Sequence, residues 1–313
     1  MSEVNHISVL LQEAIEGLNV KHDGIYVDCT LGGGGHSQEI IKKLTTGHLY
    51  CFDQDDYALK RGEETLSKTG KTNYTLIKAN FSQIKEELEK LGVSKVDGIL
   101  YDLGVSSFQF DMGERGFSYN IDAPLDMRMD QSQSLTAYEI VNTYPLGSLV
   151  HMFYTYGEMR EGYLVAKKII EEREKKPIET TLELVSIIKK ALPASILRKH
   201  AHPAKKIFQA LRIRVNNELG ALEESLAKSL NMLNKDGRIV VISFHSLEDR
   251  IVKNMFKEKI EEHKLNINAP VLASVEESDY KLITRSVITP TKEELQRNNR
   301  AHSAKMRIIE KIK

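Results

Sequence analysis

Cysteine is nearly absent from this 313-residue chain, which holds only Cys29 and Cys51. Both lie in short apolar runs and match no zinc-ligand spacing, so reduced core thiols of a cytosolic protein are expected. No apolar run approaches the roughly 20 residues that span a bilayer, so no membrane partner is expected. The first eighteen residues mix Glu3, Glu13 and Glu16 among apolar positions, unlike a signal peptide. Neither sign of charge is in excess, with 44 Lys and Arg against 44 Asp and Glu. Net charge therefore argues neither for nor against a nucleic-acid partner, and any basic surface must be local. There is no internal repeat and no low-complexity tract. An apolar content of 41% beside 28% charged residues marks a soluble globular protein of one large or two ordinary domains.

Strand-like and helix-like patterns alternate through the first hundred residues. Strands are predicted at Ile25–Cys29, Leu49–Asp53, Tyr74–Lys78 and Val96–Tyr101, with helices near Ser37–Leu44, Asp55–Ser67 and Ser82–Leu91. This alternation predicts a parallel sheet with right-handed crossovers. From about residue 110 to 200 the periodic stretches, such as Tyr163–Glu174 and Thr181–Leu192, read as helices only. A helical run from Ile207 to Leu233 follows, then a turn at Lys235-Asp236-Gly237, a strand at Arg238–Phe244 and a helix from Leu247. Leu282–Ile288 and Ser303–Ile309 are expected to close the sheet as an antiparallel pair. The fold class is α/β: a doubly wound sheet formed by residues 1–108 and 204–313, with a helical domain, 109–203, inserted after its fourth strand.

Gly24 to Ser37, Gly-Ile-Tyr-Val-Asp-Cys-Thr-Leu-Gly-Gly-Gly-Gly-His-Ser, is the most informative stretch. A strand, a glycine turn and a helix start bring bare backbone up to a nucleotide-like ligand. No Gly-Lys-Ser/Thr follows, so the turn is not a Walker loop, and its spacing departs from G-x-G-x-x-G. Such a loop suits a ligand that needs close backbone approach yet carries no triphosphate; S-adenosylmethionine is one. Asp53 ends the second strand about twenty residues further on, where such folds bind ribose hydroxyls. The competing use, capping the next helix, is better served by Asp55 or Asp56. His36 either bonds a ligand carboxylate or caps its helix, and Phe81 either lies against an adenine or fills the core. Asp102, at the end of the fourth strand, stands where a methyltransferase meets the amino-acid end of its cofactor and the acceptor nitrogen.

Four later features are unusual. Ser243-Phe-His-Ser-Leu-Glu-Asp-Arg250 places His245 at a strand end, yet Ser246 and Asp249 also resemble a capping box. Glu114-Arg-Gly-Phe-Ser118 and Pro124-Leu-Asp-Met-Arg-Met-Asp130 either line a cleft or brace the insertion by ion pairs. Between Lys189 and Val215 there are eight basic residues, Lys189, Lys190, Arg198, Lys199, Lys205, Lys206, Arg212 and Arg214, and no acid. A solvated helix face usually interleaves glutamates, so phosphate contact by RNA is the favoured reading.

Taken with His6-x-Ser-Val-Leu-Leu-x-Glu13, Asp97-Gly-Ile-Leu-x-Asp-Leu-Gly-Val-Ser-Ser107, Thr155-Tyr-Gly-Glu158 and His202-Pro-Ala204, these motifs resemble the bacterial ribosomal RNA small-subunit methyltransferase H family nearly end to end. The resemblance implies a Rossmann-like, S-adenosylmethionine-dependent methyltransferase sheet with an inserted all-helical domain. It implies methyl transfer to the exocyclic N4 of a cytidine, cytosine 1402, in the decoding region of 16S rRNA, with the small ribosomal subunit as partner and the cytoplasm as location. Carried over by position, cofactor contacts fall on Gly34, Gly35, His36, Asp53, Phe81, Asp102 and Gln109. Asp102 is also the candidate for orienting the acceptor amine, and no metal is implied. Family members often carry a non-glycine residue where this chain has Gly33. A homodimer is compatible with the sequence. A nucleotide-dependent oxidoreductase would share the strand–loop–acid layout without this glycine spacing. A non-catalytic ribosome-assembly factor would need the basic stretch and no intact cofactor loop.

Overall fold

Seven strands form one sheet: β1 (Ile25–Asp28), β2 (His48–Asp53), β3 (Tyr74–Lys78), β4 (Val96–Asp102), β5 (Leu233–Ser243), β6 (Tyr280–Leu282) and β7 (Lys305–Lys311). Their order is β3-β2-β1-β4-β5-β7-β6 in a computed structural model that describes residues 8–105, 109, 113–198, 202–261, 278–284 and 286–313. β1 to β5 run parallel, and β7 is antiparallel to both β5 and β6. The first four strands and the crossover helices match the expected alternation to within a few residues. Because side chains alternate across a strand, each central strand feeds two cores. Val27, Ile99, Tyr101, Ile239 and Val241 meet Leu88, Leu226 and Phe256 on one face. Tyr26, Leu49, Leu100, Val240 and Ile242 meet Leu18, Ile40 and Leu66 on the other. Full burial of one such aliphatic or aromatic side chain contributes about 1.5–3 kcal/mol, so the sandwich of helix, sheet and helix is held chiefly by these two layers. Cys29 and Cys51 are free and buried, one in each layer, and burial pushes both thiols well above the ordinary range.

The chain divides into two compact units, Met1–Gly104 with Leu219–Lys313, and Val105–Glu218. The second unit contains no strand among its described residues. Its helices Ala137–Thr143 and Thr181–Ala191 both start in capping boxes, Thr136 with Glu139 and Thr180 with Glu183. Its core joins Leu149, Phe153, Val165, Ile169, Leu184 and Ile188 to Ile207, Phe208 and Leu211.

Three sequence expectations are corrected. The helical run from Ile207 to Leu233 is two helices, Lys205–Asn216 and Glu218–Met232, parted at Asn217, whose φ of 48° is left-handed. Asparagine tolerates that conformation better than most residues, and apolar periodicity cannot register it. The first of the two helices buries its apolar face in the helical unit's own core, and the compact units divide at 104/105 and 218/219. The turn at Lys235-Asp236-Gly237 lies inside β5, where pairing with β4 jumps from Val96↔Leu233 to Gly98↔Arg238 around a left-handed Asp236. Finally, β6 spans Tyr280–Leu282, earlier than the Leu282–Ile288 expected, and Ile288 makes only an isolated bridge to Met306. Among the described residues no helix is long and apolar enough to cross a membrane.

Candidate ligand site at the strand ends

Strand order reverses at β1, which lies between β2 and β4. The carboxyl ends flanking such a switch point are where open α/β sheets hold ligands. Three carboxylates stand there: Asp28 ends β1, Asp53 ends β2 and Asp102 ends β4.

Asp28 organises the loop, a role the sequence reading missed. It is 1% exposed and accepts the Ser37 hydroxyl at 2.6 Å and the Thr30 N–H at 3.0 Å. Thr30 Oγ1 in turn accepts the Asp102 N–H at 2.7 Å, which ties the ends of β1 and β4 together. The signal was present as an Asp followed two residues later by Thr, the spacing of an Asx turn. Gly34 carries φ +79°, caps the helix Gly35–Lys43 and packs so closely that a Cβ would lie 3.2 Å from Thr65 Cβ and 3.3 Å from Gly62 Cα. Gly33 is not among the left-handed glycines, which fits a position that needs no glycine. The first-turn N–H groups of that helix, those of Gly35 and His36 included, belong to the set that has no acceptor within the helix.

Asp53 Oδ2 accepts the Gly32 N–H and Oδ1 the Asp55 N–H, both at 2.9 Å. Asp55, not Asp53, caps the next helix by accepting the Tyr57 N–H at 3.0 Å. Burial raises the Asp53 carboxyl to about 6, against those two hydrogen bonds, and the charges of Asp55 and Asp28 add to the rise. Phe81 is half-buried and meets Tyr101 edge-on at 5.7 Å, so core packing supports it from behind.

Asp102 is pushed well above the carboxylate range by burial first, then by the charges of Asp28 and Glu248. Its Oδ1 is buried with no hydrogen-bond partner among the described residues, while the side chain as a whole keeps 22% exposure. Its Oδ2 lies 3.5 Å from His36 Nδ1, and His36 Nε2 lies 3.1 Å from the Val9 carbonyl oxygen. The imidazole is thus 5% exposed and turned toward protein groups on both sides.

His245 caps the helix Ser246–Glu261 with Glu248: the Glu248 N–H points to His245 Nδ1 at 3.4 Å, while Glu248 Oε2 accepts the Phe244 and His245 N–H groups at 2.8 and 3.2 Å. The expected pairing of Ser246 with Asp249 is therefore corrected, since Asp249 instead accepts Arg307 Nε at 2.7 Å.

The remaining expected site residues belong to the helical unit. Gln109 is buried there, and its neighbours 106–108 and 110–112 lie outside the described residues. The Arg- and Asp-rich segments brace that unit: Arg128 pairs with both oxygens of Asp126 at 2.8 and 2.9 Å, and Arg115 Nη2 donates to the Arg128 carbonyl at 2.8 Å. Among the basic residues, Arg198, Lys205, Lys206 and Arg214 are exposed, and Lys199 lies outside the described residues. Lys206 Nζ donates to the Glu158 carbonyl at 2.7 Å, and Arg214 Nε to the Tyr144 hydroxyl at 3.2 Å. Arg212 differs from these: it is 15% exposed and gives Nε and Nη2 to the two oxygens of Glu218, each at 2.8 Å. Glu218 lies just past the acid-free stretch, which is why composition missed the pair.

A doubly wound sheet with a glycine turn and acidic strand ends at its switch point defines a Rossmann-like α/β protein. The chain belongs to the MraW methylase family, matching it over residues 3–312. It is 54% identical over 308 residues to the ribosomal RNA small subunit methyltransferase H of Exiguobacterium sibiricum, covering 98% of both chains. The protein of the same name from Limosilactobacillus fermentum is 52% identical over 316 residues, covering 100% of both.

Proposed function

We propose that the chain transfers a methyl group from S-adenosylmethionine to the exocyclic N4 of a cytidine in small-subunit rRNA, in the cytoplasm. The observation that carries this reading is the charge of the ligand edge. Burial raises Asp28, Asp53 and Asp102 above the usual carboxylate range, and the charge of Asp28 adds to the rise at the other two. A cationic ligand relieves that repulsion, whereas the pyrophosphate of a dinucleotide adds to it. S-adenosylmethionine brings a sulfonium, an ammonium and a ribose.

In this reading the Gly34–Gly35 turn and the backbone of His36 face the methionine end, Asp53 accepts the ribose hydroxyls and Phe81 covers the adenine. Asp102 completes the methionine end. The lone pair of a cytidine amine is delocalised into its ring, so transfer needs that nitrogen rehybridised and held in line with the methyl at about 3–3.5 Å. Asp102 supplies an acceptor for its N–H. Neither a metal nor a strong base is required. The target base must leave its stack, at a cost of a few kcal/mol that is smaller in irregular RNA.

Calorimetry with S-adenosylmethionine against NAD, followed by methyl transfer to small subunits and to naked rRNA, tests the reading. Binding of NAD alone would return the chain to the oxidoreductase class. Binding of neither, with retained affinity for rRNA, would favour an assembly factor.

Two substitutions probe the parts. An alanine at position 34 must adopt a left-handed conformation at a cost of roughly 1–2 kcal/mol. Gly34→Ala is therefore expected to weaken S-adenosylmethionine binding about tenfold or to lower thermal stability by the same energy, while Gly33→Ala leaves both within twofold. Equal effects of the two would show that loop geometry does not govern binding. We further propose that Arg198, Lys199, Lys205, Lys206 and Arg214 contact rRNA phosphates, with Arg212 held in reserve by Glu218. Lys205→Ala combined with Lys206→Ala is expected to lower the slope of log K against log salt by about 1.4, two contacts at roughly 0.7 each. An unchanged slope in filter binding would remove these lysines from the interface.

A further inference from the structure

One contact of His36 fixes the place of a ring proton. Nε2 lies 3.1 Å from the Val9 carbonyl oxygen, which can only accept, so Nε2 carries hydrogen. In a neutral ring Nδ1 is then an acceptor, and it lies 3.5 Å from Asp102 Oδ2. Two acceptors facing each other in a buried site repel unless a proton lies between them. Separations of this length are common in unliganded sites and close when a ligand binds.

We propose that His36 and Asp102 hold one proton between Nδ1 and Oδ2 in the free protein, release it when the cationic cofactor binds, and take up the proton that methyl transfer liberates. This rests on the proposed reading of the site as one for S-adenosylmethionine and an amine. Asp102 is the group that meets the acceptor, and His36 is a positioning residue acting through it.

The charged groups around the pair favour this cycle. Asp28 on β1 and Glu248 on the helix Ser246–Glu261 both act on Asp102, and with burial they favour its protonated form. A sulfonium opposes them and favours ionisation. In the reaction the N4 lone pair forms the new N–CH3 bond while the electrons of the S–CH3 bond return to sulfur, which becomes a neutral sulfide. The nitrogen, now positive, gives its proton to Asp102 Oδ2, which shares it with Nδ1. One positive charge leaves the sulfonium and one appears on the pair, so the site keeps its charge. Exchange with solvent after product release completes the balance.

The test uses the full chain free, with S-adenosylmethionine, and with S-adenosylhomocysteine, which differs by the methyl and its charge. Nitrogen-15 NMR of labelled histidine reports the tautomer of His36. The expected result is a protonated Nε2 throughout, with Nδ1 moving toward an unprotonated signal in the S-adenosylmethionine complex and back in the S-adenosylhomocysteine complex. Calorimetry in buffers of different ionisation enthalpy should show about one more proton released by the methylated ligand. Asp102→Asn should abolish that difference. A His36 protonated at Nδ1 alone, or equal proton release by the two ligands, would overturn the proposal. Failure of S-adenosylmethionine to bind would instead overturn the assigned cofactor, while the tautomer in the free protein would still judge the pair.

Discussion

Asp102→Asn is expected to lower methyl-transfer turnover by about 10²- to 10³-fold, the range in which a positioned proton acceptor acts. The substitution keeps the shape of the side chain and one carbonyl oxygen, so the Thr30 contact through the main-chain N–H survives. What it removes is the negative charge and the ability to take a proton at Oδ2, the oxygen beside His36. Relieving the crowded carboxylates should leave thermal stability equal or higher, because Asp102 is held above the usual range by burial and by Asp28 and Glu248. Cofactor affinity is expected to fall less than turnover, since Asp53 and the glycine turn are untouched. Single-turnover methyl transfer with calorimetry in parallel separates the two. Retention of both affinity and turnover would remove Asp102 from the chemistry.

Asp53→Ala is expected to raise the dissociation constant of S-adenosylmethionine by about 30- to 150-fold, the loss of two hydrogen bonds at about 1–1.5 kcal/mol each. It also strips acceptors from the Gly32 and Asp55 N–H groups, which the carboxylate now holds at 2.9 Å. The same carboxyl gives the binding its pH dependence. Its value is raised to about 6, so it is protonated below that pH and cannot accept two hydroxyl donors there. Wild-type affinity should therefore fall as pH drops from 7 to 5, and the alanine variant should show a flatter profile. The stability of the free fold moves the other way. A carboxyl raised on folding contributes most below its unfolded value near 4, and that contribution is lost as pH rises through about 6. Bound cofactor should offset the loss above pH 6. A pH-independent wild-type affinity would contradict the ribose role.

Much of this is legible in the sequence because the information is local. The glycines, the apolar runs of β1 to β4 and the acid ending β2 are neighbours in sequence, and periodicity and turn chemistry reach that far. Asn217 was not legible, because a left-handed residue between two amphipathic helices leaves no gap in the apolar pattern. The ion pair of Arg212 with Glu218 spans only six residues, but its acid lies beyond the basic stretch that ends at Val215. His36 shows the limit most clearly. Its position after the glycines pointed to a ligand, yet its imidazole meets Val9 and Asp102, contacts across 27 and 66 residues that no local pattern encodes. The binding of Glu248 to the main chain at 244 and 245 was hidden by a second acid at 249, which matches the capping spacing equally well from Ser246.

The most direct measurement is nucleoside mass spectrometry of small-subunit rRNA after incubation with the protein and methyl-labelled S-adenosylmethionine. Label is expected on the exocyclic nitrogen of a cytidine, present with the wild-type chain and reduced in proportion to turnover with Asp102→Asn. Label on a ribose hydroxyl or a ring carbon, or an rRNA that binds without acquiring label, would contradict it.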